Sequence, residues 1–299
     1  MRIARIVEQY PSAQSEIDHG LMPNAYYLST YQVQMGHEVR VYTIRQPGQP
    51  QVQEFDGVHV VRISRPRMTR TFMGLKCSRA VRGDGFDPDI VHALNPLPLG
   101  WLHRRAARIL RSSYVMSLHA SLDPFNKVGG LPSTGKLFQV EFRRLALDLA
   151  RHVDMVIAVS RFVGRELASF GIERSRIKVI PSGVDTKTFS PSSNGKDASP
   201  SVLYVGRFSR GKDLPTLLRA VAIVSKEMDI HLTLVGGRPF DDGYNQVKET
   251  ISALGVSDKV TILPPLPHRR LPEIYRSSCL TVLPSRMEAL GKVLLEAMA

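Results

Sequence analysis

Residues 201–228 read SVLYVGRFSRGKDLPTLLRAVAIVSKEM, a β-branched run followed by a basic loop and an apolar segment with helical periodicity. The same order returns at HLTLVGG, residues 231–237, and at KVTILPP, residues 259–265, with helix-like segments between them. Apolar strands that are joined through helices are typical of parallel sheets covered on both faces. The stretch therefore predicts an α/β domain built on a doubly wound parallel sheet.

The preceding part of the chain alternates in the same way. Its strand-like runs are RIARIV, EVRVYT, VHVVRI, DIVHAL, YVMSLH, DMVIAVS and IKVIPS, in that order. The alternation stops at SPSSNGKDASPS, residues 190–201, where polar residues, proline and glycine crowd together. We therefore predict one domain over residues 1–190, a linker or loop over 191–200 and a second domain over 201–299.

The composition bounds the class of protein. A chain of 299 residues, of which 43% are apolar, suits two domains of ordinary size. Its two cysteines, Cys77 and Cys279, lie far apart in sequence, which argues against a disulfide framework and favours a reducing compartment such as the cytosol. The start, MRIARIV, lacks the apolar stretch of a signal peptide, and no segment approaches the roughly 18 apolar residues of a membrane span. We expect a cytoplasmic protein, either soluble or peripheral on the inner face of a membrane.

Positive charge is concentrated in one part of the first domain. The net charge is +13, and between Arg62 and Arg111 eleven Lys or Arg residues face three acids. This excess favours an anionic partner such as lipid headgroups or phosphorylated substrates, although a solvated surface fits it equally well. Trp101, within the same region, suits either a membrane interface or a core. Nucleic acid is not favoured, because no aromatic-interleaved motif or zinc spacing accompanies the charge.

Basic residues follow the first strand of the second domain. Ligands of such sheets bind beyond the carboxyl ends of the strands, where backbone N–H groups are free for phosphates. Gly206 allows close backbone approach there, and Arg207 and Lys212 could hold the two phosphates of one diphosphate. Taken alone, the spacing also fits ordinary surface charge.

The final stretch, PSRMEALGKVLLEAMA, places two carboxylates eight residues apart. Glu288 is predicted to lie in a loop before a helix and Glu296 within the helix, whose first turn includes Gly291. Carboxylates accept paired hydrogen bonds from hydroxyl groups such as those of sugars and riboses. In isolation, either acid also fits a solvated loop or helix residue.

Several ordered motifs together resemble one family. In the second domain they are GRFSRGK, LVGGRP and PSRMEALGKVLLEAMA, and in the first MGHEVRVYT, DPDIVHAL, DMVIAVSRF and IKVIPSGVDTKTF. They resemble retaining glycosyltransferases of the GT-B fold, specifically glycosyltransferase family four, over nearly the whole chain. The resemblance implies two Rossmann-like domains that face a cleft.

The resemblance also implies an activity: transfer of a sugar from a nucleotide-sugar donor, UDP- or GDP-linked, to a lipid-linked or glycan acceptor. Anomeric configuration would be retained, and neither a metal nor a cofactor would be required. Arg207 and Lys212 match the pair that holds the diphosphate and stabilises the leaving group. Glu288 matches the acid that positions the sugar hydroxyls, and Glu296 the acid that binds the ribose.

Four further residues are assigned by the resemblance. His119, at the end of a first-domain strand, matches a histidine that faces the donor sugar, and Glu288 and His119 are the predicted catalytic pair. Gly20 corresponds to a glycine near the phosphates. Leu290 and Gly291 stand where the family usually has Phe-Gly, and Gly291 would add backbone donors to the phosphate.

Two other functions stay open at this point. A nucleotide-sugar epimerase of the same fold would bind the same donor but release a changed sugar, and a binding module would hold the nucleotide without reaction. Members of the family also continue beyond the last motif. We therefore expect that this chain is a fragment with an incomplete second sheet, less stable than its parent and of uncertain activity.

Overall fold

The computed structural model describes residues 1–14, 17, 22–64, 79–94, 107–108, 110–121, 144, 147–148, 150–191 and 200–299. The chain divides into two compact units, Met1–Pro181 and Ser182–Ala299, called here the first and second units. Each unit is an α/β layer built around parallel strands, which confirms the predicted fold class.

The first unit contains an eight-stranded sheet. Its strands are β1 (Arg2–Ile6), β2 (Glu38–Ile44), β3 (Val52–Phe55), β4 (Val58–Ile63), β5 (Ile90–Ala93), β6 (Ser113–Leu118), β7 (Met155–Ala158) and β8 (Ile177–Val179). Two of its helices are α1 (Met22–Gln34) and α2 (Arg161–Ser169). Helix α2 begins where the hydroxyl of Ser160 accepts a hydrogen bond from Val163 N at 3.2 Å, an ordinary N-cap.

The strand order of this sheet is β3-β4-β2-β1-β5-β6-β7-β8. Every neighbouring pair is parallel except β3 and β4, which form an antiparallel hairpin. The sequence analysis did not predict β3, because VQEF is short and its side chains are only partly buried. Central strands are buried on both faces, as the consecutive residues Val41 and Tyr42 of β2 illustrate, and this burial favours their β-branched composition.

The second unit contains a four-stranded parallel sheet in the order β11-β10-β9-β12. Its strands are β9 (Ser201–Val205), β10 (His231–Val235), β11 (Val260–Leu263) and β12 (Leu280–Thr281), and its helices are α3 (Leu214–Val224), α4 (Tyr244–Leu254), α5 (Leu271–Arg276) and α6 (Lys292–Met298). Helix α3 buries Leu214, Leu217, Leu218 and Val221, an i, i+3, i+4, i+7 stripe against the sheet.

The boundary between the units differs from the predicted one. The sequence analysis assigns residues 182–190 to the first domain, whereas the structure groups them with the second. The reason is Phe189, which is buried against Leu203 and Val235 of the second unit. Polar composition indicated a linker or loop at 191–200, but it could not reveal that Phe189, just before this stretch, packs against the second unit. Residues 192–199 lie outside the described residues.

The loops after β9 and β10 pack backbone against backbone. Gly236 has φ +108°, and a Cβ at this position would lie 2.7 Å from the carbonyl oxygen of Gly206. Its own N–H donates to Leu263 O at 3.1 Å, and Gly206 N donates to Val235 O at 2.9 Å. Gly206 and Gly236 therefore allow the loops after β9 and β10 to lie in direct backbone contact.

Replacement of Gly236 by alanine should destabilise the second unit. The left-handed backbone and the contact with the Gly206 carbonyl predict a loss of about 1–3 kcal/mol in the free energy of unfolding. Gly183→Ala is the matched control, because Gly183 has open space around its Cβ position and no left-handed φ. Chemical denaturation of both variants measures the difference, and equal stability would contradict the strain argument.

Candidate functional site

Two loops meet at one edge of the second sheet. Because β9 and β12 are parallel neighbours, the loops that follow them, residues 206–213 and 282–291, leave from the same edge. Across these loops Lys212 Nζ forms an ion pair with Glu288 Oε1. The structure thus joins two predicted donor-site residues that are separated by 76 positions in the sequence.

Arg286 attaches the second loop to the first. Its backbone N donates to Gly211 O at 3.0 Å, and its Nε donates to Asp213 Oδ2 at 3.1 Å. Burial alone would raise the pKa of Asp213, but the hydrogen bond and the charge of Arg286 outweigh burial and lower it. The two contacts fix the separation of the loops on either side of the Lys212–Glu288 pair.

Arg207 lies on the same strand-end loop as Lys212. Its side chain is exposed, while its carbonyl accepts a hydrogen bond from the Tyr204 hydroxyl at 2.8 Å. Burial raises the pKa of Tyr204 well above its ordinary value; the charge of Glu288 raises it further and that of Arg207 lowers it. The charges of Arg207 and Glu288 therefore both act on the buried hydroxyl of Tyr204.

Asp241 is a supporting residue that the sequence analysis missed. Its carboxylate accepts from Phe208 N at 3.0 Å and from Arg238 N at 3.1 Å, so it connects the loops after β9 and β10. Its place in the loop that follows β10 was a signal that could have selected it. The carboxylate stabilises the backbone that carries Arg207, because it satisfies two N–H groups at once.

The carboxylate of Glu296 is enclosed. Glu296 is 5% exposed, its Oε1 lies 3.0 Å from His268 Nε2, and its Oε2 accepts from the Tyr275 hydroxyl at 3.0 Å. It is therefore not a solvated helix residue. The sequence analysis missed both partners, although His268 lies just beyond β11, where ligand-binding residues of parallel sheets collect.

Leu290 and Gly291 lie directly before α6. Gly291 has φ +71° and ψ +53°, and it is the residue before the helix rather than part of its first turn as predicted. Leu290 is half-buried. Burial lowers the pKa of the next residue, Lys292, and the charge of Glu296 opposes this effect. Glu288 in the loop and Glu296 in the helix are placed as the sequence predicted.

His119 belongs to the first unit, immediately after β6. Its Nδ1 lies 3.4 Å from Asn24 Nδ2 at the start of α1. The nearby His92 is buried, and this burial, with the charges of Arg5 and His119, holds its pKa well below the usual value. The side chain of His119 therefore lies at the carboxyl edge of its own sheet, which is where the sequence predicted it.

Part of the predicted basic region is buried. Arg62 is 1% exposed and donates to Pro11 O at 2.8 Å, so it contributes no charge to the surface. This corrects the expectation of a basic surface that starts at Arg62, and the cause is that strand β4 is internal to its sheet. The exposed arginines of the region that the structure describes include Arg79, Arg108 and Arg111. Gly20, Cys77 and Trp101 lie outside the described residues.

The described part of the chain contains no group of three or more His, Cys, Asp or Glu residues that could hold a metal ion. Within the same ranges, no helix is both long and apolar enough to cross a membrane.

Comparison with known proteins gives matches to two family models. Glycosyltransferase Family 4 matches residues 24–188, and Glycosyl transferases group 1 matches residues 185–299. The spore coat protein SA of Bacillus subtilis is 28% identical over 88% of this chain and 69% of that protein. The mannosylfructose-phosphate synthase of Agrobacterium fabrum is 29% identical over 89% of this chain and 66% of that protein.

A solved structure shares the fold. The Anabaena protein Alr3699/HepE, in complex with UDP-glucose, superposes with a TM-score of 0.73 at 19% identity, over 100% of this chain and 78% of that chain. Both units of the present chain thus share the fold of that structure.

The Lys212–Glu288 pair should contribute little to stability. The side chains are 26% and 29% exposed, and pairs near water contribute less than about 1 kcal/mol because solvent screens them. Lys212→Met should therefore lower the free energy of unfolding by less than about 1 kcal/mol, measured by urea denaturation. Glu288→Gln is the matched partner for a double-mutant cycle. A coupling energy of several kcal/mol between the two substitutions would contradict the prediction that this ion pair is weak.

Proposed function

The chain belongs to glycosyltransferase family 4 and has the GT-B fold, and from this premise we propose that it transfers a sugar from a nucleotide-sugar donor to an acceptor, with retention of anomeric configuration. The donor is a UDP- or GDP-linked sugar. The UDP-glucose bound by the Anabaena relative supports this class of donor.

One observation carries the proposal: Lys212 and Glu288 lie in contact at the carboxyl edge of the second sheet. An ammonium group binds phosphate, and a carboxylate accepts from sugar hydroxyls, so the two halves of a nucleotide-sugar find complementary partners at one place. In the structure these two groups form an ion pair with each other. A bound donor would replace this pair by a phosphate contact to Lys212 and a hydroxyl contact to Glu288.

Each predicted residue has a role in this proposal. Arg207 and Lys212 bind the diphosphate and stabilise the negative charge that develops on the departing nucleoside diphosphate, which makes a metal unnecessary. Glu288 orients the sugar hydroxyls, and Glu296 accepts from the ribose. His119 contacts the donor sugar, and backbone groups at Gly20, Leu290 and Gly291 line the phosphates.

The acceptor is a lipid-linked molecule or a glycan, and the reaction takes place in the cytoplasm at the inner face of a membrane. The exposed arginines of the first unit, among them Arg79, Arg108 and Arg111, support this part of the proposal. Arginine side chains are attracted electrostatically to a surface of anionic lipid headgroups.

Nucleoside diphosphates should stabilise the chain against unfolding. At a ligand concentration of 100 Kd the free energy of unfolding rises by about 2.7 kcal/mol, and Arg207→Ala should abolish most of this gain. Arg219→Ala is the matched control, since Arg219 is an exposed arginine of α3 whose side chain contacts Thr216. Thermal unfolding with UDP, GDP and ADP measures the gain. If none of these three nucleotides stabilises the chain, the proposed function is wrong.

Turnover should require Glu288. Glu288→Gln retains the shape of the side chain but weakens acceptance from the sugar hydroxyls, so the rate should fall by about 10²–10³ while UDP or GDP still binds. Release of nucleoside diphosphate from a panel of nucleotide-sugars, with glycan and lipid-linked acceptors, measures the rate. A changed sugar released without acceptor would instead indicate an epimerase, and normal nucleotide binding without any product would indicate a binding module.

Binding to anionic vesicles should depend on the described arginines of the first unit. Replacement of Arg79, Arg108 and Arg111 by glutamine should weaken cosedimentation with phosphatidylglycerol vesicles by up to about 1 kcal/mol per residue. Arg161, Arg165 and Arg174, also exposed in the first unit, give a matched triple control. If the two triple variants sediment equally with the vesicles, the proposed binding to a membrane through Arg79, Arg108 and Arg111 is wrong.

A further inference from the structure

Three residues form a buried polar cluster in the second unit. Glu296 of α6, Tyr275 of α5 and His268 of the preceding turn are 5%, 8% and 7% exposed. Both carboxylate oxygens are engaged at 3.0 Å, one by His268 and one by Tyr275. A buried carboxylate is costly unless hydrogen bonds compensate it, so these two donors are what permits Glu296 to be there.

Both partners act as donors. Burial and the charge of Glu296 raise the pKa of Tyr275 well above its ordinary value, so its hydroxyl keeps its proton at any physiological pH. A carboxylate only accepts, so the Nε2 of His268 that faces it carries a hydrogen. The ring of Phe189 packs against both partners, with centroids 5.0 Å from His268 and 5.9 Å from Tyr275, which restricts their rotation.

Among the described residues, the Glu296 carboxylate has two hydrogen-bond partners, one on each oxygen. An ionised carboxylate offers about four lone-pair sites, so each oxygen could accept one more hydrogen bond. Two neighbouring hydroxyl groups, one per oxygen, suit this capacity. Since His268 and Tyr275 each hold one oxygen, the carboxylate is kept in one orientation.

We propose that His268 and Tyr275 are positioning residues that hold the Glu296 carboxylate for the 2′- and 3′-hydroxyls of the donor ribose, and that they thereby make the site select ribonucleotides over 2′-deoxyribonucleotides. The inference rests on the proposed function, because it takes Glu296 as the ribose-binding acid. Neither residue belongs to the motif that contains Glu288 and Glu296.

A purely structural cluster makes a different prediction. Such a cluster would only hold α6 against α5. Its loss would destabilise the second unit and would weaken the binding of all ligands equally. A positioning role instead changes only the contact with the ribose hydroxyls. The ratio of affinities for a ribonucleotide and its 2′-deoxy analogue therefore separates the two roles.

The experiment measures binding of three ligands to the full chain by calorimetry: the best of UDP, GDP and ADP, its 2′-deoxy analogue, and inorganic pyrophosphate. Because the 2′-hydroxyl would donate a hydrogen bond to a charged group, we expect the unaltered chain to bind the ribonucleotide about tenfold or more tightly than its 2′-deoxy analogue. Tyr275→Phe and His268→Leu should each reduce this preference by about threefold or more and leave pyrophosphate binding unchanged. His268→Gln, which retains a donor, should restore part of the preference.

Tyr244→Phe is the matched control, because Tyr244 stacks on Phe208 in the same unit and should keep the preference of the unaltered chain. An unchanged ratio in Tyr275→Phe and His268→Leu, or an equal loss for all three ligands, would overturn the positioning role while the proposed function stands. If no nucleotide binds the unaltered chain, the proposed function fails and this inference fails with it.

Discussion

The parallel pairing of β9 with β12 is the constraint on which the site depends. Parallel neighbours end at the same edge of a sheet, so the loops that follow them meet although 76 residues separate Lys212 from Glu288. An antiparallel β12 would send its loop to the opposite edge. The backbone contact between Gly236 and Gly206 adds the loop after β10 to the same assembly.

The two acids of the final motif are held in opposite ways, and the difference fits their proposed roles. Glu288 forms a half-exposed pair with Lys212, which screening makes weak and easily exchanged for a ligand. Glu296 is buried and held by two neutral or cationic donors, which costs desolvation but fixes its orientation. The loop acid can therefore exchange its partner easily, whereas the helix acid is held in one orientation.

Local patterns predicted most elements of the fold but not how they pair. Apolar β-branched runs located the parallel strands, since the inner strands such as β2 and β9 are largely buried, while the partly exposed VQEF of β3 gave no such signal. Charge in the sequence did not reveal that Arg62 is internal. The polar composition of residues 191–200 indicated a boundary, but the structure places it earlier, after Pro181, because Phe189 packs in the second unit and a single apolar side chain does not show which core it joins.

The sequence by itself determined the α/β class and the order of the motifs, because periodicity and spacing are local properties of the chain, and the candidate residues followed from the resemblance of those motifs to the family. Only the tertiary structure decided which of these residues meet. It paired Lys212 with Glu288, placed Asp241 beneath the strand-end loops and surrounded Glu296 with His268 and Tyr275. The physical reason is that hydrogen bonds and desolvation depend on distances between segments remote in sequence, and no local pattern encodes those distances.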